Sequence, residues 1–158
     1  MIFVTVGTLH FEFRRLIKKM DEIAGKIDEE VIMQIGYTEY EPVNAEWFKF
    51  KDIDDIKEYY KKANIIVAHA GAGTLLDSFS FKKFVVTVPR RKKYGEHIDD
   101  QQLELTEVLE ESGKVLAVFD IENLDSAIIK ALKTDNTALK IDKSLSNYLN
   151  EFIRSFDS

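Results

Sequence analysis

The sequence predicts an α/β fold, an open parallel sheet with helices on both faces. Three observations lead there. Short apolar runs of strand length alternate with longer segments of helical period, and that alternation gives parallel strands joined by crossover helices. Only two prolines and seven glycines interrupt 158 residues, with no linker-like or low-complexity tract, so residues 1–158 read as one domain. Gly7 and Gly71 each fall just past the end of an apolar run, at the edge where open α/β sheets bind ligands.

Strands are expected at 2–6, 31–35, 47–50, 64–68, 84–88 and 115–119. Most are nearly continuous apolar runs, as strands covered on both faces tend to be. The first helix carries Phe13, Leu16, Ile17, Met20, Ile23 and Ile27, a 3.6-residue stripe. A second, near 53–62, holds Ile56, Tyr59 and Tyr60, and a short one follows Thr74. A longer helix is expected over 98–112, with Ile98, Leu105, Val108 and Leu109 on its apolar side, and another over 122–133. The last, about 144–156, aligns Leu145, Tyr148, Leu149, Phe152, Ile153 and Phe156. That stripe either packs on the chain's own sheet or, if exposed, marks an interface.

Composition narrows the function classes. Hydrophobic residues make up 45% and charged residues 32%, the balance of an ordinary globular domain. A formal net charge of -6 argues against nucleic acid as a partner and leaves any phosphate ligand dependent on local features. There is no cysteine, and the three histidines, His10, His69 and His97, have no metal-ligand spacing. No apolar run approaches the ~18 residues of a membrane span. The start, Met1-Ile2-Phe3-Val4-Thr5-Val6, reads as a strand rather than a signal peptide. The expected compartment is the cytoplasm.

The stretch His69-Ala70-Gly71-Ala72-Gly73-Thr74 lies between an apolar strand and a short helix. Glycines let a ligand approach bare amides, and a helix N-terminus offers unpaired N–H groups that suit a phosphate. The loop after the first strand, with Gly7, Thr8 and His10, is a second wall of the same crevice. Downstream, Arg90, Arg91, Lys92 and Lys93 follow a strand at the same edge. They read either as a phosphate-facing loop or as a solvated surface.

Together with Pro89-Arg90 and Glu96-His97-Ile98-Asp99-Asp100-Gln101-Gln102-Leu103-Glu104-Leu105, and with the opening Phe3-Val4-Thr5-Val6-Gly7-Thr8, these motifs resemble the donor-binding half of MurG-related GT-B glycosyltransferases, a Rossmann-like domain. More narrowly, the chain resembles small catalytic subunits that lack an acceptor domain. One such group adds the second N-acetylglucosamine to dolichol-linked sugar with a membrane-anchored partner. The other is the PssE-like subunit of exopolysaccharide synthesis. The resemblance implies a UDP-sugar donor, no cofactor and no metal. It implies that Gly71, Ala72, Gly73 and Thr74 hold the diphosphate, that Asp77 meets the ribose, and that Gln101 and Gln102 meet the sugar, with Arg90, Glu96 and His97 beside them. MurG itself carries glutamate where this chain has Asp77, and relatives often carry Gly-Lys-Pro where it has Phe81-Lys82-Lys83-Phe84.

Other readings stay open at several positions. Thr74 and Asp77 also match a T-x-x-D capping box. His69 either packs as a satisfied residue or lines the phosphate pocket. His10 is either an ordinary exposed residue or faces the donor phosphates or the acceptor, and His69 and His10 are the candidate catalytic residues. His97 either caps a helix or meets the sugar. At least one of Gln101 and Gln102 points away from the apolar stripe, and Gln102, on the side of Leu105 and Leu109, is the one held rigidly.

A sugar transferase holds two substrates and excludes water between them. One crevice does half of that. The expected function is therefore the catalytic, donor-binding subunit of an inverting UDP-sugar transferase, working with a membrane-anchored acceptor-binding subunit on a lipid-linked acceptor at the cytoplasmic face. Two other classes compete: a nucleotide-binding regulatory module without transfer activity, and a different Rossmann-like enzyme such as a nucleotide-sugar epimerase. The epimerase is disfavoured because GT-B epimerases carry both domains in one chain.

Overall fold

In the computed structural model, which describes residues 1–134 and 143–154, six strands form one parallel sheet. They are β1 (Ile2–Thr5), β2 (Val31–Gln34), β3 (Glu46–Phe48), β4 (Ile65–Ala68), β5 (Phe84–Thr87) and β6 (Leu116–Ala117), in the order β3-β2-β1-β4-β5-β6. The chain builds outward from β1 to β3, then returns to lay β4 on the other side of β1. The order reverses there, and the two loops leaving β1 and β4 diverge to open a crevice. Register sets the strand ends level, because Thr5 pairs with Ala68 on one side and Gln34 on the other.

The helices are α1 (Arg14–Ala24), α2 (Ile53–Lys62), α3 (Ala72–Ser80), α4 (Gln101–Glu111), α5 (Leu124–Leu132) and α6 (Lys143–Arg154). Strand alternation sends side chains to opposite faces. Val4, Met33 and Val67 pack with Leu16, Met20 and Ile128 under α1 and α5. Phe3 and Ile66 pack with Tyr60, Leu75, Leu105 and Leu149 under α2, α3, α4 and α6. Both faces are thus covered, as the apolar strand runs required.

The boundaries shift where tertiary context overrides local pattern. β6, expected over 115–119, is two residues long; it is an edge strand paired only with β5, and Val118 still donates to the Thr87 carbonyl at 2.9 Å. β3 occupies 46–48 rather than 47–50. α4 begins at Gln101, not at 98, and Ile98 is 70% exposed. The reason is local hydrogen bonding. The amides of Arg91, Lys92 and Gln101 donate to the carboxylates of Glu96, Asp100 and Asp99, which fixes a short 3-10 turn (Lys92–Tyr94) and a loop in place of a first helical turn. In α6, Leu149 is fully buried in the core beside α3. That position packs on the chain's own body, while Tyr148 is 37% exposed. The side chains of Leu145, Phe152 and Ile153, and all of Phe156, lie outside the described residues.

One turn carries strain. α3 ends in a Schellman arrangement, with Lys82 N–H bonded to the Phe79 carbonyl and Lys83 N–H to the Ser78 carbonyl. The residue at its left-handed position is Lys82, at φ 56, where a glycine is at ease. A non-glycine residue there costs roughly 1–2 kcal/mol. Lys82→Gly is expected to raise stability by about 1 kcal/mol, and the thermal midpoint by about 2–4 °C at this chain length. A midpoint that stays or falls in calorimetry would show that the turn stores no strain.

Candidate functional site

A cavity of about 470 Å³ opens at the carboxyl edge of the sheet, over the point where strand order reverses. Thr5 and Gln34, at the ends of β1 and β2, lie at its base. The β1 loop (Gly7, Thr8), the β4 loop with the start of α3 (Gly71 to Thr74, and Asp77), the start of α2, and His97, Gln101 and Gln102 form its walls.

His69 is the centre of this construction. It follows β4 directly and is only 4% exposed. Two glycines make room for its ring. A Cβ on Gly71 would overlap the imidazole, and one on Gly7 would lie 2.5 Å from its Nε2. Gly7 also sits at φ +69, so a side chain there meets both a clash and strain. Gly73 has nothing within 4 Å of where a Cβ would stand. The sequence reading gave all the loop glycines to a ligand; Gly7 and Gly71 instead seat a histidine, and Gly73 is the one with open space before it.

The ring is locked by hydrogen bonds. Gln102 is 5% exposed, and its Oε1 accepts from the amides of Ala70 (3.1 Å) and Arg90 (3.2 Å). Its Nε2 therefore faces His69 Nδ1, at 3.2 Å, and donates to it. That assigns the proton to Nε2, which lies 3.2 Å from Thr74 Oγ1 and donates to it. Burial pushes the His69 pKa down to about 3, and the nearby charges of Arg90 and His97 push it the same way. A neutral ring with both nitrogens engaged does not take a proton at neutral pH, so His69 is a strut of the site and not its base. The other candidate base, His10, is not on the cavity at all. It is exposed on the rim, stacked 4.5 Å from the ring of Tyr37, which meets Phe50 edge-on at 5.0 Å.

The basic cluster also falls elsewhere than expected. Arg90 is fully buried, and its guanidinium donates to the carbonyls of Val6 (2.8 Å), Phe11 (3.0 Å) and Glu96 (3.1 Å), over the ring of Phe13 at 4.9 Å. Burial lowers its pKa to about 10, so it stays charged. Glu96 is buried in a two-pronged pair with Arg15, at 2.9 and 3.0 Å. Arg91 turns to Asp100, and Lys92 and Lys93 are exposed. None of Arg90–Lys93, nor Glu96, reaches the cavity wall. Arg90 and Glu96 tie the β1 loop to the 91–100 loop and so hold the walls apart at a fixed spacing. One signal was available. Arg90 continues the two-residue alternation of Val86 and Val88, both buried.

The remaining expected residues do line the cavity: Gly7, Thr8, Gly71, Ala72, Gly73, Thr74, Asp77, His97, Gln101 and Gln102. His97 is held by Asp99, whose amide donates to its Nδ1 at 3.3 Å. The capping box between Thr74 and Asp77 does not form. Gly71 is the N-cap of α3, so Thr74 sits inside the first turn, and no side chain caps the helix. Its first amides thus have no side-chain acceptor among the described residues, and the side of Gly73 is open. No hydrogen bond from the described residues reaches the Asp77 carboxylate; desolvation pushes its pKa up and Lys57 opposes this. Sequence reasoning missed Thr5, Gln34, Lys51, Ile53, Ile56 and Tyr60, while Leu9 lines the cavity as part of the β1 loop. Gln34 offered a signal, as the polar member of an apolar strand. Among the described residues, no group of acidic or histidine side chains is arranged to hold a metal ion.

Comparison with known proteins places this geometry. The model of the glycosyltransferase family 28 C-terminal domain matches residues 1–154. The human UDP-N-acetylglucosamine transferase subunit ALG13 is 32% identical over an alignment of 121 residues, and the match covers 71% of this chain and 10% of that protein. MurG of Acinetobacter baumannii superposes with a TM-score of 0.60 at 16% identity, over 96% of this chain and 49% of that one. The calicheamicin glycosyltransferase CalG4 superposes with a TM-score of 0.64 at 14% identity, over 97% of this chain and 36% of its own. The chain thus has the fold of one Rossmann-like half of a GT-B protein, and spans about a tenth of the curated relative's length.

The buried neutral histidine makes stability depend on pH. The unfolded chain takes up a proton below pH 6.5, whereas the folded chain resists it until about pH 3. The His69 contribution is full above pH 6.5 and falls as pH drops, at up to about 1.4 kcal/mol per pH unit. Denaturant titrations between pH 7.5 and 4.5 should show that slope in wild type and lose that part of it in His69→Gln. Parallel slopes in the two proteins would mean that the ring is protonated in the fold.

Proposed function

Because the chain belongs to the family of glycosyltransferase family 28 C-terminal domains, we propose that it is the donor-binding, catalytic subunit of an inverting UDP-sugar transferase. The observation that carries the proposal is the uncapped N-terminus of α3, open at Gly73, with the free Asp77 carboxylate one turn further along the same cavity wall. The four residues from Gly73 to Asp77 rise about 6 Å along the helix, a fitting span between a phosphate on the amides and a ribose hydroxyl on a carboxylate. The human relative, a UDP-N-acetylglucosamine transferase subunit, supports UDP-N-acetylglucosamine as the donor, with UDP-glucuronate or another UDP-hexose next.

In the proposed reaction the acceptor hydroxyl attacks the anomeric carbon from the side opposite the diphosphate. The bond from that carbon to the phosphate oxygen breaks, and UDP leaves carrying the new negative charge. The α3 amides and the positive end of the helix meet this charge. In this reading Gln101 and His97, which line the same cavity, meet the sugar, and Gln102 holds the β4 loop that meets the phosphates. The hydroxyl's proton goes to a base on the acceptor side, since neither His69 nor His10 is placed to take it. That base and the second wall come from a partner subunit, which also brings the chain to a lipid-linked acceptor at the cytoplasmic face of a membrane. No described helix is long and apolar enough to cross a membrane. Exposed apolar groups beside the cavity, Tyr37, Phe50 and Ile53, suit a surface that another chain covers.

That neither His69 nor His10, the candidate bases, is placed to take the proton also favours a second reading, a nucleotide-binding module without transfer activity. Two measurements decide. Asp77→Ala is expected to weaken UDP binding at least tenfold in calorimetry while the melting curve is kept, because a hydrogen bond to a charged group contributes about 1.5–3 kcal/mol. Undiminished affinity would remove Asp77 from the site. Co-expression with a membrane-anchored acceptor subunit from the same source, assayed over several UDP-sugars, should give transfer that the lone chain lacks. UDP binding with no transfer in that mixture would establish the module instead.

A further inference from the structure

One end of the cavity is furnished with donors. Gln34 closes β2 and is 5% exposed at the cavity base. Its Oε1 accepts from the Thr5 hydroxyl at 2.6 Å, and the Thr5 oxygen in turn accepts from the Gly7 amide at 3.2 Å. Its Nε2 hydrogens have no partner among the described residues and are not sealed off from the cavity.

Lys51 stands on the same side. Phe48 is the register partner of Gln34 across β2 and β3. The Lys51 ammonium lies 4.9 Å from the Phe48 ring centroid and 5.2 Å from that of Tyr59, and donates to the Tyr59 hydroxyl at 2.8 Å. Two ring faces and one hydrogen bond thus hold an otherwise mobile side chain over the β2–β3 end. An ammonium has three donors and no acceptor, so two remain for a ligand. Ile53 and Ile56, at the start of α2, add an apolar flank. The free carboxylate of the cavity, Asp77, is on α3.

We propose that Lys51 and Gln34 select the nucleobase, favouring an edge that presents carbonyl oxygens, as uracil does, over one that presents an exocyclic amine, as cytosine does. This rests on the nucleotide-sugar reading above and adds the residues that decide which nucleotide. A carbonyl accepts from either donor. An exocyclic amine points its own hydrogens at them: it leaves the buried Gln34 donor unpaired, which is how a hydrogen-bonding site rejects a near-isostere, and it offers the exposed Lys51 ammonium no acceptor. Lys51 is also the one cation among the described residues of the cavity wall, so its charge acts on the diphosphate of any nucleotide alike. Only the ratio between two bases isolates the effect proposed.

The test is calorimetric titration of UDP and CDP, which differ only on one edge of the base: a carbonyl against an amine at C4, and a donor against an acceptor at N3. Wild type is expected to bind UDP at least tenfold more tightly than CDP. Lys51→Met keeps the stem on the aromatic rings and removes the donor, and should cut that ratio at least threefold. Adding Gln34→Glu keeps an oxygen toward Thr5 and replaces the donor with an acceptor, and should bring the ratio to one or below. A wild-type ratio near one, or a ratio that the double substitution leaves unchanged, overturns the assignment while the nucleotide-sugar reading stands. If wild type binds neither nucleotide, that reading falls and this assignment falls with it.

Discussion

The imidazole of His69 sets the shape of the cavity. It fills the space between the loops leaving β1 and β4, and it fits only because Gly7 and Gly71 have no Cβ. Gln102 reaches from α4 to bind the ring and also the amides that follow β4 and β5. One histidine, two glycines and one glutamine thereby join three strand ends. The cost is a buried polar group that must be fully satisfied. The gain is a rigid loop whose next amides, at the start of α3, have nothing else to bind. A loop that collapsed on itself would cap its own helix and close the site.

Around that knot stands a frame of charge. Arg90 is buried among backbone carbonyls that no strand or helix uses, and it satisfies them. Its Nε finds no partner, and the Arg15–Glu96 pair lies beside it. Removing one member of a buried ionic set leaves uncompensated charge, typically at 3–5 kcal/mol. The residues at the 91–100 turn are therefore constrained by the fold before any ligand arrives. That constraint explains why a run of four cations, the obvious candidate for phosphate, does not face the cavity. Two are drawn to carbonyls and carboxylates at close range, and two are left in solvent.

Legibility in the sequence followed the range of the interactions. Strand and helix identities were readable because apolar periodicity is local and repeated; Val31 to Ile35 or the α1 stripe admits few other folds. Gly71, Gly73, Thr74 and Asp77 could be placed on the cavity because strand, glycine and helix adjoin in the chain. The start of α4 could not, since it depends on the Glu96, Asp99 and Asp100 carboxylates competing for amides. The inward turn of Arg90, the stacking of His10 on Tyr37, and the approach of Gln34 and Lys51 to the same cavity depend on partners far away in sequence. The motif placed its segments at the edge where the cavity opens, but only the packing shows which side chains line that cavity and which hold its walls.

With a net charge of -6, the whole-molecule field repels a nucleotide diphosphate, so the grip has to be short-ranged. Amides at a helix start act within a turn, and each bond to a charged oxygen contributes about 1.5–3 kcal/mol only where competing water is excluded. The cavity is open on one side, so in the isolated chain those bonds form in competition with solvent. A second wall would lower the local dielectric, strengthen the same bonds and keep water from the anomeric carbon in one movement. In the proposed enzyme the split between two polypeptides would then act as a switch as well as an architecture. The donor half alone would bind loosely, and the groups that stabilise the leaving diphosphate would reach full strength only with the acceptor half in place.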